Sequence, residues 1–410
     1  RAPRAAVMMT AAPASVTLGG ALSGAPRLPA LVARVPEAVW GRAAGPQSIS
    51  MHRGVRTNST QGASMSANAE PPKPAKKPRL PALDSIRFFL ISYIAVGHFI
   101  AFGTKDLFLQ KLFSQVNVVV GAFFVLSGYV AGYTATELNL YKHSPRIDNA
   151  VAYTVGRIGT FYPLYMLTQL LFAPMFVWVD NMFNGPVLTA MHALMTGTLT
   201  QAWFPAHAEL WNAPAWFLSA LAFAMIPLPY ALPGVAKMTK KGLRKTLVAL
   251  TAVCGLAKLA YSYDLAAWGL MEGMMAPKAH PNILLWNATR FSPLLAFCEV
   301  LMGAVAARLV MTDNTEVAED KGPAAPASPL LPLVAMGTLI YARAAGWVTM
   351  NDPIARTFFF IPLCIMFFVR IHRETVDPKA AGWNLSKVMS WGPLTYLGTI
   401  SFPIFMLHGP

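Results

Sequence analysis

An arginine and a histidine stand eleven residues apart in one apolar stretch, 83-LDSIRFFLISYIAVGHFIAFG-103. Eleven residues of α-helix turn about 1100°, three turns plus about 20°, and rise about 16.5 Å. Arg87 and His98 therefore share one face at different depths, and Asp84, three residues before Arg87, can pair with it at the helix mouth. Histidine is the side chain whose ordinary pKa suits proton transfer near neutral pH. Arginine is a fixed cation whose donors suit phosphate or a developing oxyanion. Ionisable groups in a lipid-spanning segment are costly, face a bundle interior or a wet cavity, and by default mark function. A plainer reading stays open for each: Arg87 snorkels to the interface, and His98 bonds a neighbouring helix.

Further candidates are scattered. Glu299, in 297-FCEVLMG-303, is a second carboxylate inside an apolar run, with helix packing or an interfacial place as its plain alternative. In 121-GAFFVLSGYVAGYTATEL-138, Gly121, Gly128 and Gly132 line one helix face, the last two as G-x-x-x-G, which suits close helix packing. Ser127 is not in a G-x-S-x-G elbow and reads as a packing hydroxyl rather than a nucleophile. The H-x-x-x-x-D string of 143-HSPRID-148 is interrupted by Pro145 in a basic loop and is discounted as chance. Cys254, Cys298 and Cys364 lie in apolar runs without metal-ligand spacing. With no Gly-rich phosphate loop, H-E-x-x-H or Cys/His cluster, neither a cofactor nor a metal is expected. The N-x-[ST] strings at Asn58, Asn287 and Asn384 are weak, and Asn287 alone has a plausible lumenal place.

The elements that must position these residues are apolar. Of 410 residues 55% are hydrophobic and 12% charged, and several runs are long enough to cross a hydrocarbon core of about 30 Å. Candidates fall near 86–104, 116–136, 151–179, 187–204, 212–234, 245–264, 290–311, 330–346, 354–371 and 392–410. The expected fold class is all-α: a polytopic membrane bundle of about ten transmembrane helices with a disordered basic N-terminal tail, the bilayer its first partner. The net charge of +15 is concentrated in residues 1–80, where eight Arg and three Lys face Glu37 and Glu70. That Ala-, Pro- and Ser-rich tail is read as disordered, and no nucleic-acid partner is expected. Its first 64 residues read as upstream sequence or a presequence, followed by an ordinary start and a basic patch in 65-MSANAEPPKPAKKPRLP-81. Residues 81–410 form the expected transmembrane domain.

Basic residues in short loops set orientation. The run 73-KPAKKPR-79 predicts a cytoplasmic N-terminus, and the basic 142–157 segment after two spans agrees. The run 237-KMTKKGLRK-245 falls outside if five spans precede it, and inside if 187–204, marginally apolar, is re-entrant or interfacial. The parity stays open at this stage.

Asp84, Arg87 and His98 in "LDSIRFFLISYIAVGHF" resemble the first-helix pattern of the acyltransferase-3 family, integral membrane acyltransferases in which L-D-x-x-R is followed by ten residues and a His. In the family's order, Phe123–Tyr129 resembles F-F-V-L-S-G-F and Gly156–Tyr165 resembles R-x-x-R-I-Y-P-x-Y. Asn212–Leu221 resembles N-x-P-x-W-S-L-S-V-E, and Leu397–Pro410 is similar to L-G-x-I-S-Y-P-I-Y-L-x-H. Two positions depart: the second Arg of the third-helix pair is Thr160, and the carboxylate ending the W-x-L-S-x-E string is Leu221. Glu299 is a candidate to compensate.

The resemblance implies O-acyl transfer from cytoplasmic acyl-CoA, as co-substrate, to a hydroxyl of a carbohydrate or glycolipid, often across the membrane. It implies His98 as base, with Arg87 assisting, and Arg157 on the donor. Asp84, Ser127, Trp216, Glu299 and His408 complete the candidate substrate- and donor-binding set; for His408 a capping role is the alternative. A solute transporter using His98, Arg87 and Glu299 as relay residues is the rival class. It predicts two related halves, but the Arg/His helix has no counterpart in 245–410.

Overall fold

The computed structural model describes residues 78–136, 149–262, 283–320, 328–376 and 384–409, without the side chains of 260–262, 283 and 313–320. By internal contacts the chain divides into Arg1–Ala67 and Asn68–Pro410, and every described residue belongs to the second unit. The basic tail to residue 77, the 143–148 string and Asn58 lie outside the described residues.

Every regular element among the described residues is helical. The chain begins with α1 (Pro81–Gly103), short α2 (Leu107–Phe113) and α3 (Val116–Val119), then α4 (Gly121–Ala135). It continues with α5 (Ala150–Ile158), α6 (Tyr162–Gly197), α7 (Trp216–Met225), α8 (Leu228–Lys237) and α9 (Lys240–Ser262). After α10 (Ile283–Arg290) and α11 (Pro293–Asp320) come α12 (Leu330–Ala344) and the single turn α13 (Asp352–Ile354). A π-helical turn (Ala355–Phe360), α14 (Ile361–Val376), α15 (Leu385–Met389) and α16 (Gly392–Leu407) complete the order.

Five helical stretches among the described residues are long and apolar enough to cross a membrane, or six if the α7–α8 pair, bent by 59°, is one broken span. About ten were expected. At about 1.5 Å per residue, α12 and α16 fall short of a 30 Å core, and α9 carries Lys240, Lys241, Arg244, Lys245 and Lys258.

The stretch 187–204 has a different shape from a span. Gly185 sits at φ +79°, and the chain breaks direction there, at a Gly-Pro pair. The part from Pro186 to Gly197 rises only about 18 Å. It folds back on the first part of α6, where Tyr162 and Tyr165 donate to the Gly197 and Thr196 carbonyls, each at 2.7 Å. Beyond it, α7 runs from Trp216 and Phe217, which both meet the Phe124 ring, to the carbonyl of Met225, which accepts from Thr154 on α5 at 3.1 Å. α8 packs on α5, so the basic run 237–245 lies at the end of the bundle that holds Arg157. The re-entrant option fits this path.

The centre of the bundle is the α4–α11 pair. A Cβ on Gly128 would strike the Val300 backbone, one on Gly132 the Ala304 backbone, and one on Gly303 the Val125 carbonyl. The G-x-x-x-G pattern thus does what small residues do in membrane interfaces: it lets two backbones touch. Around this seam, α1 pairs with α16, and the aromatic side chains of Phe124, Trp216, Phe217, Phe291 and Phe405 fill the core beside them.

Candidate active site

α1 carries chemistry at both ends, and α16 tracks it throughout. Gly398 lies against the Asp84 backbone near one end, and His408, the C-cap of α16, meets His98 near the other. The Nδ1 of His98 and the Nε2 of His408 are 2.9 Å apart, with ring planes within 12° of parallel. His408 Nδ1 is 2.7 Å from the Phe405 carbonyl oxygen.

A carbonyl oxygen only accepts, so His408 carries its proton on Nδ1 and offers a lone pair on Nε2. His98 then donates from Nδ1, and its Nε2 keeps the lone pair. His98 is exposed among the described residues, whereas His408 is half-buried. The arrangement is a histidine whose tautomer is fixed by a second histidine, itself fixed by the end of its own helix.

The opposite end is cationic. Asp84 accepts from Arg87 Nη1 at 3.2 Å through one oxygen and from Arg79 Nη2 at 3.0 Å through the other. Arg157 donates to the Thr134 hydroxyl at 3.2 Å and lies 5.4 Å from the Tyr153 ring centroid. Next to Thr134, Tyr133 donates to the Pro78 carbonyl at 2.7 Å, which ties the end of α4 to the start of α1. Arg79, Arg87 and Arg157 therefore gather at one end of the bundle, and His98 with His408 at the other. Thr160, where the family carries a second Arg, donates to the Arg157 carbonyl at 2.7 Å and closes the end of α5.

Other candidates have structural employment. Glu299 is fully buried, and its two oxygens are held by Lys258 Nζ (3.0 Å), Arg356 Nε (3.0 Å) and Arg356 Nη2. It anchors α9 and the π-turn to α11. Trp216 is buried against Phe291, ring centroids 4.9 Å apart, and Leu221 lies in the same apolar core. Ser127 is half-buried beside the α4–α11 seam and joins none of the polar clusters among the described residues.

Two polar assemblies went unread in the sequence. Asn117, Arg290, Arg343, Asp352 and Arg356 form a network near the His98 end, taken up below. In the second, Asp180 accepts from His192 Nδ1 (2.8 Å), Trp211 Nε1 (2.9 Å) and Asn184 Nδ2 (2.7 Å), while His192 Nε2 is 3.1 Å from His207 Nδ1. Burial and His192 hold the loop residue His207 below the ordinary histidine pKa, with Asp180 opposing. The Gly-Pro pair at 185–186 was a readable signal for the turn that makes this second cluster.

Among the described residues no group of three or more His, Cys, Asp or Glu side chains is placed to hold a metal. An all-helical membrane bundle with a tautomer-fixed histidine at one end and arginines at the other suits a group-transfer enzyme working within the membrane. An acyltransferase-domain family, the acyltransferase-3 family, matches residues 80–410, and the chain belongs to it. It is a multi-pass integral membrane acyltransferase, which sets aside the transporter reading. No curated protein and no solved structure matches the chain.

Proposed function

We propose that the chain is a membrane O-acyltransferase that moves an acyl group, acetyl as the simplest, from acyl-CoA to a hydroxyl of a carbohydrate or glycolipid. The observation that carries this is the His98–His408–Phe405 chain, which leaves a lone pair on His98 Nε2. The acceptor hydroxyl gives its proton to that nitrogen as its oxygen attacks the thioester carbonyl. The tetrahedral intermediate collapses with cleavage of the C–S bond, and the departing thiolate takes the proton from His98. One ester and one thiol result, and the imidazole returns to its starting state. The positive charge that His98 carries in between is shared with His408 through Nδ1–H.

In this reading Arg87 and Arg157 hold the donor's phosphates at the cytoplasmic end, and Asp84 orients Arg87. The pantetheine arm then follows α1 toward His98, spanning about 16.5 Å of helix. His408 is a positioning residue. Ser127, Trp216 and Glu299 support the walls rather than touch the donor. The fuller count of about ten membrane segments rests on sequence hydropathy, and the cytoplasmic N-terminus on the basic run 73–79.

The test is transfer from labelled acetyl-CoA in membranes by His98→Ala, checked for wild-type expression. Transfer is expected to vanish, and undiminished transfer would refute the assignment. A bound-donor structure with the arm away from α1 would overturn the donor path separately.

A further inference from the structure

A partly open cavity lies near the His98 end, and its wall includes Lys258, Arg290, Arg356, Asn117, Trp286 and Asp352. Its relation to His98 follows from contacts. Gly97, next to His98, lies against Val116, and the neighbour of Val116 is Asn117, whose Oδ1 accepts from Arg290 Nε at 2.7 Å. Arg290 thus stands two contacts from the proposed base, whereas Arg87 is three helical turns away.

Three cations stand in the wall: Lys258, Arg290 and Arg356. Arg290 lies 4.5 Å from the Phe291 ring centroid and 5.0 Å from that of Trp286, which fixes the guanidinium plane. A guanidinium has five N–H donors. Among the described residues Arg290 uses one on Asn117 and one on Glu209 (2.9 Å), and Nη1 makes no hydrogen bond. Glu209 is exposed at the surface, so its pair is weak and replaceable by a better placed anion. Lys258 and Arg356 form other parts of the wall, with Glu299 behind them. Asp352, the wall's one carboxylate among the described residues, is engaged by Arg343 at 2.7 Å and by Asn117 Nδ2 at 3.3 Å. Arg356 enters from the π-turn, a local widening often found at functional sites.

We propose that this cavity is an anion subsite for the acceptor: Arg290, beside the Glu299-held Lys258 and Arg356, grips a carboxylate or phosphate carried by the acceptor while a hydroxyl of the same molecule reaches His98. The inference deepens the function proposed above and rests on it for the acceptor's identity. It narrows the acceptor from any hydroxyl compound to an anionic one.

The test is calorimetric titration of the purified full chain, in detergent and phosphate-free buffer, with inorganic phosphate and separately with glucuronate. Saturable binding of at least one probe is expected, weakened at least tenfold in Arg290→Gln. Glu209→Gln, which removes the competing carboxylate on the surface, is expected to tighten it severalfold and guards against a misfolded Arg290 variant. Binding of neither probe, equal binding by Arg290→Gln, or unchanged affinity in Glu209→Gln would overturn the subsite. Displacement of the probe by CoA, or its loss in Arg87→Gln, would assign the anion to the donor and refute the proposal. His98→Ala separates the two claims: it should lose transfer and keep probe binding. Transfer retained there would sink the catalytic reading while leaving the anion site standing.

Discussion

Replacing His408 with Phe tests the proton-holding chain while keeping a ring beside Phe405 and Phe99. In the native arrangement His98 Nδ1–H has an acceptor at 2.9 Å, and that bond strengthens once His98 becomes a cation in the reaction. A hydrogen bond to a charged group contributes about 1.5–3 kcal/mol. At 1.36 kcal/mol per tenfold in rate, its loss lowers kcat by about 10- to 150-fold. KM for acyl-CoA should stay within about twofold, since the donor's phosphates are proposed to bind three helical turns away. The assay is transfer from labelled acetyl-CoA at several donor concentrations, with protein level held equal. His408→Gln supplies an oxygen that can accept from Nδ1–H and should recover at least part of the loss. The reasoning fails if His408→Phe keeps kcat within twofold, or if KM rises while kcat holds.

Three further outcomes follow. Glu299→Gln removes the counter-charge shared by Lys258 and Arg356 and should cost about 3–5 kcal/mol, read as a large drop in the apparent melting midpoint of the solubilised protein. Gly128→Val should do comparable harm by forcing α4 off the Val300 backbone, seen as lost expression or melting well below wild type; a normally melting variant would contradict the close contact. His207 titrates below the ordinary histidine value of about 6.5 in the folded chain, so the unfolded chain binds more protons as pH falls through that value. Stability of the 198–212 loop is therefore complete above about pH 6.5 and declines below it. Hydrogen exchange of that loop at pH 7.5 and 5.5 should show the loss, and His207→Gln should flatten it.

Local features of this chain are legible in its sequence. The one-face placement of Arg87 and His98 needs only the helical repeat, and Asp84 pairs with Arg87 because i,i+3 neighbours meet. The glycines of α4 announced a close contact, though not that α11 would supply the other side. Glu299 drew attention as an intramembrane carboxylate, yet its partners are 41 and 57 residues away, and no local period points to them. Lys258 was hidden in a run read only as apolar, and Arg356 takes its place through a π-turn that sequence does not advertise. The His98–His408 contact joins residues 310 apart in sequence. Both histidines were readable as candidates, but their joint control of one tautomer was not.

The backbone contact between α4 and α11 has a consequence for how the two ends of α1 are set. Where Val300 and Ala304 meet glycine with no side chain between, the two helices cannot slide or roll without collision or separation. Rocking of two half-domains would have to part this seam. The pair acts as a keel, and the rest of the bundle hangs from it. In the proposed reaction this pair is the fixed reference against which α1 sets its His98 and Arg87 ends.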